Sequence, residues 1–257
     1  MSRRGPGNPK GVPRSEGLRT QGVMLLVVGA TALWLGLSEA SLAYVRAALR
    51  PPLAASGGVL LALAVATLWG RPRPGPAPDG GHGHGGRLGA GWLLILPVLV
   101  LLLVAPPALG SYAASRQAPR AGGGVGAFPP LPDPVGGAVP LPVSEFVSRA
   151  LYDQHRSLQG APVRVLGFVT PTDGGGYRLT RFNFFCCAAD AEAYEITIRG
   201  DPTRRQADQW LLVEGRWLPE APVSDQAPSN RRPVLVADSV TPVRPPADRY
   251  EHNLYGV

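Results

Sequence analysis

Three long apolar runs in the first 110 residues constrain this chain more than any other feature of its sequence. They cover about residues 22–44, 53–69 and 91–110. A helix of roughly 20 apolar residues spans the ~30 Å hydrocarbon core of a bilayer. The first and third runs reach that length, whereas the second is near the short limit. It also follows two prolines, Pro51 and Pro52, which are expected to stop a helix. We therefore expect two to three transmembrane helices within residues 21–112.

The positive charge of the chain lies in the same half as the apolar runs. Residues 1–143 carry a net charge of +8, and residues 144–257 carry a net charge of −1. The tail 1–20 contains five Lys or Arg residues and the loop 70–90 contains three. Because cytoplasmic loops are enriched in Lys and Arg, we expect this tail and loop in the cytoplasm. The protein is then a multi-pass protein of the cell membrane with an extracytoplasmic C-terminal domain, and its near-neutral C-terminal half argues against a nucleic-acid partner.

Polar side chains within this half are candidates for function. Glu39, near the end of the first run, is either an interfacial residue or a functional acid. The Pro/Gly-rich loop 70–90 contains His82 and His84. With Asp79 these two imidazoles form a weak divalent-metal site, or the loop is simply a solvated linker.

The C-terminal half has the sequence pattern of a small β domain. A Pro/Gly linker covers residues 113–143, and a short amphipathic helix follows with Ser144 as its expected N-cap. Five strand-like segments then cover residues 162–170, 177–187, 193–199, 210–218 and 232–243. Their number and spacing favour an OB-like barrel over residues 144–257, with Gly167 and Gly215 at bulges or corners. The predicted fold class is an α+β membrane protein, with transmembrane helices followed by an OB-like all-β barrel.

The only two cysteines of the chain, Cys186 and Cys187, are adjacent and lie at the end of the second predicted strand. In a strand their side chains would point to opposite faces. Three interpretations remain open: a strained disulfide between neighbours, metal ligation with Asp190 as a further ligand, or one buried thiol beside one packed thiol. Asp190 is also a natural cap for the turn after the strand.

Motifs for common enzyme chemistry are absent from the sequence. It contains no GxxxxGK[ST], GxSxG or HExxH pattern, and His155 and His252 are isolated from other candidate catalytic residues. We therefore expect no catalytic residues, no enzymatic activity and no cofactor other than a divalent metal.

Several segments carry a resemblance to a known family. They are YVRAALRPP after the first run, HGHGG in the loop, APPALGSYAAS after the third run, QGAPVRVLGFVT, and above all RFNFFCCAADA. On these segments the chain resembles the YcgQ-like family of uncharacterised, permease-associated membrane proteins, of which CCAADA is the signature. The resemblance implies a small partner of a multi-span permease without an assigned reaction. Cys186, Cys187 and Asp190 match the signature positions.

These observations lead to one main functional expectation and two alternatives. The main expectation is a non-enzymatic membrane protein that serves as an accessory subunit of a multi-span permease, with the lipid bilayer and the permease as partners. The first alternative is a metal- or thiol-handling extracytoplasmic module centred on Cys186 and Cys187. The second is an extracytoplasmic barrel that binds an oligomeric ligand such as a glycan or a single-stranded nucleic acid.

Overall fold

The computed structural model describes residues 14–69, 108–118, 128–219 and 231–251. The chain divides into two compact units, which we describe separately. The helical unit comprises Met1–Ser41 with Ala48–Pro106, and the β unit comprises Leu42–Ala47 with Pro107–Val257. The loop 70–90 and nearly all of the third apolar run lie outside the described residues, so the predictions made for them stay predictions.

The helical unit contains two long helices, α1 (Arg14–Leu37) and α2 (Arg50–Trp69). Helix α1 ends before the predicted end of the first span at residue 44, and the exposed Glu39 opens a 3₁₀ turn, Glu39–Ala43. Pro51 and Pro52 were expected to stop a helix, but they lie in the first turn of α2. Proline is tolerated there because first-turn N–H groups have no partner within the helix.

The second apolar run, from which we expected the weakest membrane span, lies in the described helix that best meets the length and hydropathy of such a span. Among the described residues one helix, Ala47–Trp69, is long and apolar enough to cross a membrane, while the apolar helix Gln21–Leu37 is shorter. Large apolar side chains of both helices are exposed. They include Val23, Leu26, Trp34, Val59, Leu63 and Trp69.

Glycines bring the backbones of α1 and α2 into close approach. Three of them, Gly22, Gly29 and Gly36, repeat every seventh residue of α1 and face α2. A Cβ at Gly36 would lie 2.6 Å from the backbone nitrogen of Ala54, and a Cβ at Gly57 would lie 2.4 Å from that of Leu33. Small residues at helix contacts are typical of helices that pack within lipid, where close approach replaces the hydrophobic driving force.

The β unit contains a mixed sheet of seven strands within the described residues. The strands are β1 (Val139–Pro140), β2 (Pro162–Pro171), β3 (Tyr177–Asn183), β4 (Glu192–Arg199), β5 (Trp210–Leu218), β6 (Val234–Pro242) and β7 (Tyr250–Glu251). The helices α3 (Ser111–Ser115) and α4 (Val143–Tyr152) precede most of the sheet. Strands β2 to β6 match the five segments predicted from the sequence to within two residues at each end, except that β3 ends four residues before the predicted end at 187.

The pairings of five strands form a closed ring. Strand β2 pairs with β3, β3 with β4, β4 with β6, β6 with β5, and β5 with β2 again. Only the β4–β6 pair of this ring is parallel. A register shift at Glu214 and Gly215 is the irregularity predicted for that glycine, and a Cβ at Gly215 would lie 2.1 Å from the carbonyl oxygen of Val236.

Helix α4 packs its apolar face against the core of the β unit. Phe146 and Val147 are buried in one cluster with side chains of β2 to β6. The prediction that Ser144 is the N-cap is wrong, because the helix begins one residue earlier, at Val143. Glu251 of β7 takes the capping role: its carboxylate accepts the N–H groups of Val143 at 2.7 Å and Ser144 at 2.8 Å.

Glu251 also belongs to a buried ion pair. Its carboxylate lies 3.8 Å from the guanidinium of Arg181, which extends over the ring of Trp210 and donates to the carbonyl of Tyr250. Burial raises the pKa of Glu251 and lowers the pKa of Arg181. The contact with Arg181 and the two helix N–H groups oppose this effect of burial on the Glu251 carboxylate.

Part of the predicted linker packs into the β unit. Residues 128–142 include β1, which pairs in parallel with β2, and the buried side chains of Val139 and Leu141 belong to the main core. The segment is therefore an ordered arm of the β unit, although its Pro and Gly content is typical of a spacer.

Candidate functional site

The cysteines lie in a loop that follows β3. The chain leaves the strand after Asn183, buries Phe184 and exposes Phe185 before it reaches the cysteine pair. The prediction that the two thiols point to opposite faces of a strand is wrong, because Cys186 lies in a bend and its Sγ is 3.5 Å from the Sγ of Cys187. The two sulfurs therefore share one side of the loop.

Asp190 fixes the shape of this loop. Its two carboxylate oxygens accept the backbone N–H groups of Phe185 at 3.1 Å and of Cys186 at 2.9 Å. A single 3₁₀ turn, Ala188–Asp190, brings the carboxylate back to the cysteines. Desolvation opposes ionisation of Asp190, but the hydrogen bond from the Cys186 thiol and these backbone hydrogen bonds lower its pKa, so the group is a carboxylate at neutral pH.

Cys186, Cys187 and Asp190 together form a compact set of ligand atoms. One sulfur from each cysteine and one carboxylate oxygen all lie within 4.8 Å of one another. Both cysteines are free thiols, Cys186 exposed and Cys187 half-buried. The arrangement therefore differs from two of the predicted interpretations, since the sulfurs are not bonded and neither thiol is buried.

The environment of Cys186 suppresses its thiolate. Its hydrogen bond to Asp190 and, next, its contact with Cys187 raise the pKa of the Cys186 thiol to about 12. Because the thiolate is the nucleophile, an exposed thiol with such a pKa reacts slowly in spite of its accessibility. Asp190 thus controls both the shape of the loop and the reactivity of its first cysteine.

We expect the substitution Asp190→Asn to accelerate alkylation of Cys186 several-fold at pH 8. The amide retains one oxygen that can accept one of the two loop N–H groups, and it removes the negative charge that raises the pKa of the thiol. The measurement is the rate of iodoacetamide labelling of Cys186, followed by peptide mass spectrometry. Asp173→Asn, in the exposed turn between β2 and β3, is the matched control, and equal rates in both variants would contradict this account.

A short segment between α1 and α2 binds the cysteine loop from its other side. The carbonyl of Tyr44 accepts the N–H of Ala188 at 2.8 Å, and the N–H of Arg46 donates to the carbonyl of Cys186 at 3.3 Å. Val45 and Cys187 thereby form an isolated antiparallel bridge. The segment Leu42–Ala47, which belongs to the β unit, thus acts as a short added strand beside the thiols.

Tyr250 fastens the same segment at a second point. Its hydroxyl donates to the carbonyl of Ala43 at 2.9 Å and accepts the N–H of Leu109 at 2.9 Å. Its ring packs edge-on against Phe184, at the start of the cysteine loop, with ring centroids 4.6 Å apart. Sequence reasoning missed this residue, because its partners lie more than 60 residues away along the chain.

Among the described residues, the one candidate histidine, His155, does not belong to this set of ligand atoms. His155 is exposed and follows α4, and its backbone N–H donates to the carboxylate of Asp153 at 2.9 Å. His82, His84 and His252 lie outside the described residues. The weak metal site predicted at His82 and His84 therefore stays a prediction.

A cleft of about 460 Å³ lies elsewhere on the β unit and was not expected from the sequence. Leu109, Tyr112, Phe168 and Trp210 supply apolar lining, and Arg249 supplies a charge. Asp208 closes one side, where its carboxylate accepts the N–H of Ser111 at 2.5 Å. The cleft depends on contacts between α3 and the sheet, for which local sequence patterns give no signal.

Comparison with known proteins gives one match. No curated protein and no solved structure matches this chain. Residues 145–253, somewhat less than half of the chain, match the family model described as the DUF1980 C-terminal domain, which is an uncharacterised family. The matched region begins in α4 and contains the strands β2 to β7 and the cysteine loop. The chain therefore carries a DUF1980 C-terminal domain over residues 145–253.

Proposed function

We propose that this protein is a non-enzymatic integral membrane protein that serves as an accessory subunit of a multi-span permease. The observation that carries the proposal is the helical unit, in which two apolar helices approach at backbone distance through glycines and expose Val, Leu and Trp side chains. Helices that are apolar on their outer surface are destabilised in water and are stabilised in lipid or against other apolar helices. A multi-span membrane protein offers such helices.

The segment between the helices supports an extracytoplasmic position for the β unit. Leu42–Ala47 connects α1 to α2 along the chain and belongs to the β unit. If both helices cross the bilayer, this connection requires the segment and its unit to be on one side of it. The N-terminal residues 1–20, with their five Lys or Arg residues, then begin on the opposite side. By the charge rule the side of the tail is the cytoplasm.

We infer that the ring of five strands is an OB-like barrel. The strand order and the parallel β4–β6 pair favour this, because an OB fold is a five-stranded Greek-key barrel that closes by pairing its first strand with its fourth. Closure leaves few free strand edges, which suits a domain that presents loops to a partner.

The two native cysteines provide a test of membrane orientation. In intact cells, after reduction with a membrane-impermeant phosphine, we expect a membrane-impermeant maleimide to label the wild-type protein. A variant that carries Cys186→Ser, Cys187→Ser and Ser2→Cys is the matched control, and we expect its label only after permeabilisation. The reverse pattern would overturn the orientation, and recovery of the protein in the supernatant after alkaline carbonate washing would overturn membrane integration.

The permease association is tested by mild detergent extraction of the full-length protein. We expect it to elute in a complex with a polytopic membrane protein in a stoichiometric amount, and to lose that partner on substitution of the exposed helix residues Val59 and Leu63 by lysine. Elution as a single chain after chemical cross-linking in the membrane would count against an accessory role.

A second function is favoured by the cysteine loop. We propose, as the alternative, a metal- or thiol-handling module, because two free thiols and a carboxylate place three ligand atoms within 4.8 Å on an accessible loop. The two functions are compatible, since an accessory subunit can present a substrate ion to its permease.

A further inference from the structure

We propose that Cys186, Cys187 and Asp190 bind one exchangeable divalent ion that prefers tetrahedral thiolate and oxygen ligands, of which Zn²⁺ is the type. The protein supplies three ligands and leaves the fourth position open. This inference rests on the metal-handling alternative above and deepens it, because it names the class of ion and the way in which it is held.

The distance between the sulfurs selects the coordination geometry. A tetrahedral ion with metal–sulfur bonds of ~2.3 Å holds two sulfurs about 3.8 Å apart, whereas a linear two-coordinate ion holds them about 4.6 Å apart. The observed Sγ–Sγ distance is 3.5 Å, and both sulfurs lie on the same side of the bend. The observed spacing is thus within a few tenths of an ångström of that of a tetrahedral ion and is further from that of a linear one.

Asp190 is positioned to supply the third ligand. Its two oxygens accept the backbone N–H groups of Phe185 and Cys186. The thiol of Cys186 donates a further hydrogen bond to the carboxylate, and a bound ion would replace that thiol proton. Hydrogen bonds of this kind orient a metal-bound carboxylate. The N–H of Asp190 donates in turn to the carbonyl of Cys187 at 3.0 Å, so that the backbone of the loop already has the form in which its ligand atoms converge.

The segment Leu42–Ala47 holds the loop in this form from outside. Tyr44 and Arg46 hydrogen-bond to the backbone on either side of Cys187. A site whose ligands are positioned before the ion arrives requires little ordering on binding. The ion replaces the two thiol protons, which leave to solvent, and the reaction involves no change of oxidation state.

The accessibility of the site indicates exchange rather than a structural role. Structural zinc sites are closed by four protein ligands, whereas sites with three protein ligands keep a position for water or an incoming group. Cys186 is exposed and Cys187 is half-buried. In the part of the chain that the structure describes, these three residues are the one group of His, Cys, Asp or Glu side chains that converges in this way. The fourth position is therefore free for a ligand from a receiving protein.

The test uses the full-length protein in detergent, reduced, freed of metal by a chelator and kept under argon. Co²⁺ serves as the spectroscopic probe, and Zn²⁺ as its competitor. We expect one Co²⁺ per chain, with the intense visible bands of tetrahedral cobalt and a thiolate-to-cobalt charge-transfer band, both abolished by Zn²⁺. We expect Cys186→Ser, Cys187→Ser and Asp190→Asn each to weaken Co²⁺ binding by at least about tenfold, since loss of even an outer partner of a ligand has an effect of that order.

Two control proteins assign the ion to this loop. Asp173→Asn and the double variant His82→Ala/His84→Ala should both retain the tetrahedral spectrum. A weak octahedral spectrum that disappears only in the histidine variant would overturn the proposal, as would the absence of any cobalt bands at millimolar Co²⁺. If the cysteine variants fail to fold, the wild-type protein still decides, because Zn²⁺ must protect Cys186 from iodoacetamide if the ion is bound there.

The outcomes separate this inference from the functions on which it rests. A wild-type protein that binds no ion but forms a reversible disulfide between its cysteines would overturn the metal site and leave thiol handling intact. Membrane integration and the permease complex are measured by fractionation and cross-linking, and neither result depends on the ion.

Discussion

Replacement of Glu251 by alanine is expected to lower the free energy of unfolding of the β unit by about 3–5 kcal/mol. The carboxylate of Glu251 caps α4 through the N–H groups of Val143 and Ser144, and it faces the buried guanidinium of Arg181. Alanine leaves two helix N–H groups and a buried positive charge without this partner. The loss is large because a buried charge is not rehydrated when its partner is removed.

Hydrogen exchange of the full-length protein in detergent, read on peptides from α4 and β3, measures this loss locally. The matched control is Asp238→Ala, which removes an ion pair with Arg216 in which both side chains are more than half exposed. We expect a change of only about 0–1 kcal/mol for the control, because exposed ion pairs contribute little. Similar losses in the two variants would mean that Glu251 does not hold α4 on the sheet.

Replacement of Gly57 by leucine is expected to separate α1 from α2, whereas the same change at Gly58 leaves the hairpin intact. The two glycines are adjacent, yet a Cβ at Gly57 would lie 2.4 Å from the backbone nitrogen of Leu33, and a Cβ at Gly58 would meet no atom within 4 Å. Because the obstructing atom belongs to the backbone of α1, the helices must move apart. We expect a loss above the roughly 1–3 kcal/mol that is common for overpacked sites.

The pair of variants controls for hydrophobicity, since leucine makes α2 more apolar at either position. The thermal unfolding of the detergent-solubilised protein and the hydrogen exchange of α1 and α2 peptides are the measurements. We expect faster exchange in both helices of Gly57→Leu and a change within about 0.5 kcal/mol for Gly58→Leu, as for an ordinary surface substitution. Equal behaviour would show that the close approach at Gly57 does not hold the hairpin together.

Much of the β unit could be predicted because its strands have a local signature. Alternation of apolar and polar residues identified β2 and β4 to within a residue at each end, and the glycine at position 215 was recognised as an irregularity in β5. Such patterns arise from the pleat, which every strand imposes on its own sequence. They report on one strand at a time and contain no information about its partners.

The errors occurred where a distant contact decides the local structure. The sequence NFFCC continues the apolar character of β3, but Asp190 hydrogen-bonds Phe185 and Cys186 and turns the chain into a loop. Pro51 and Pro52 predict the end of a helix, but proline is equally suited to the first turn of a helix, where both residues lie. The cap of α4 was assigned to the adjacent serine, whereas the residue that fills this role, Glu251, lies 108 positions from Val143.

The bridge between Val45 and Cys187 has a consequence for the folding of the β unit. The residues of Leu42–Ala47 that pair with the cysteine loop lie about 140 positions before it in the sequence. Until the two parts of the chain meet, the carbonyl of Cys186 and the N–H of Ala188 lack the partners that this segment provides. The loop therefore depends on a contact of long sequence separation, and contacts of that kind form slowly because of the entropic cost of loop closure.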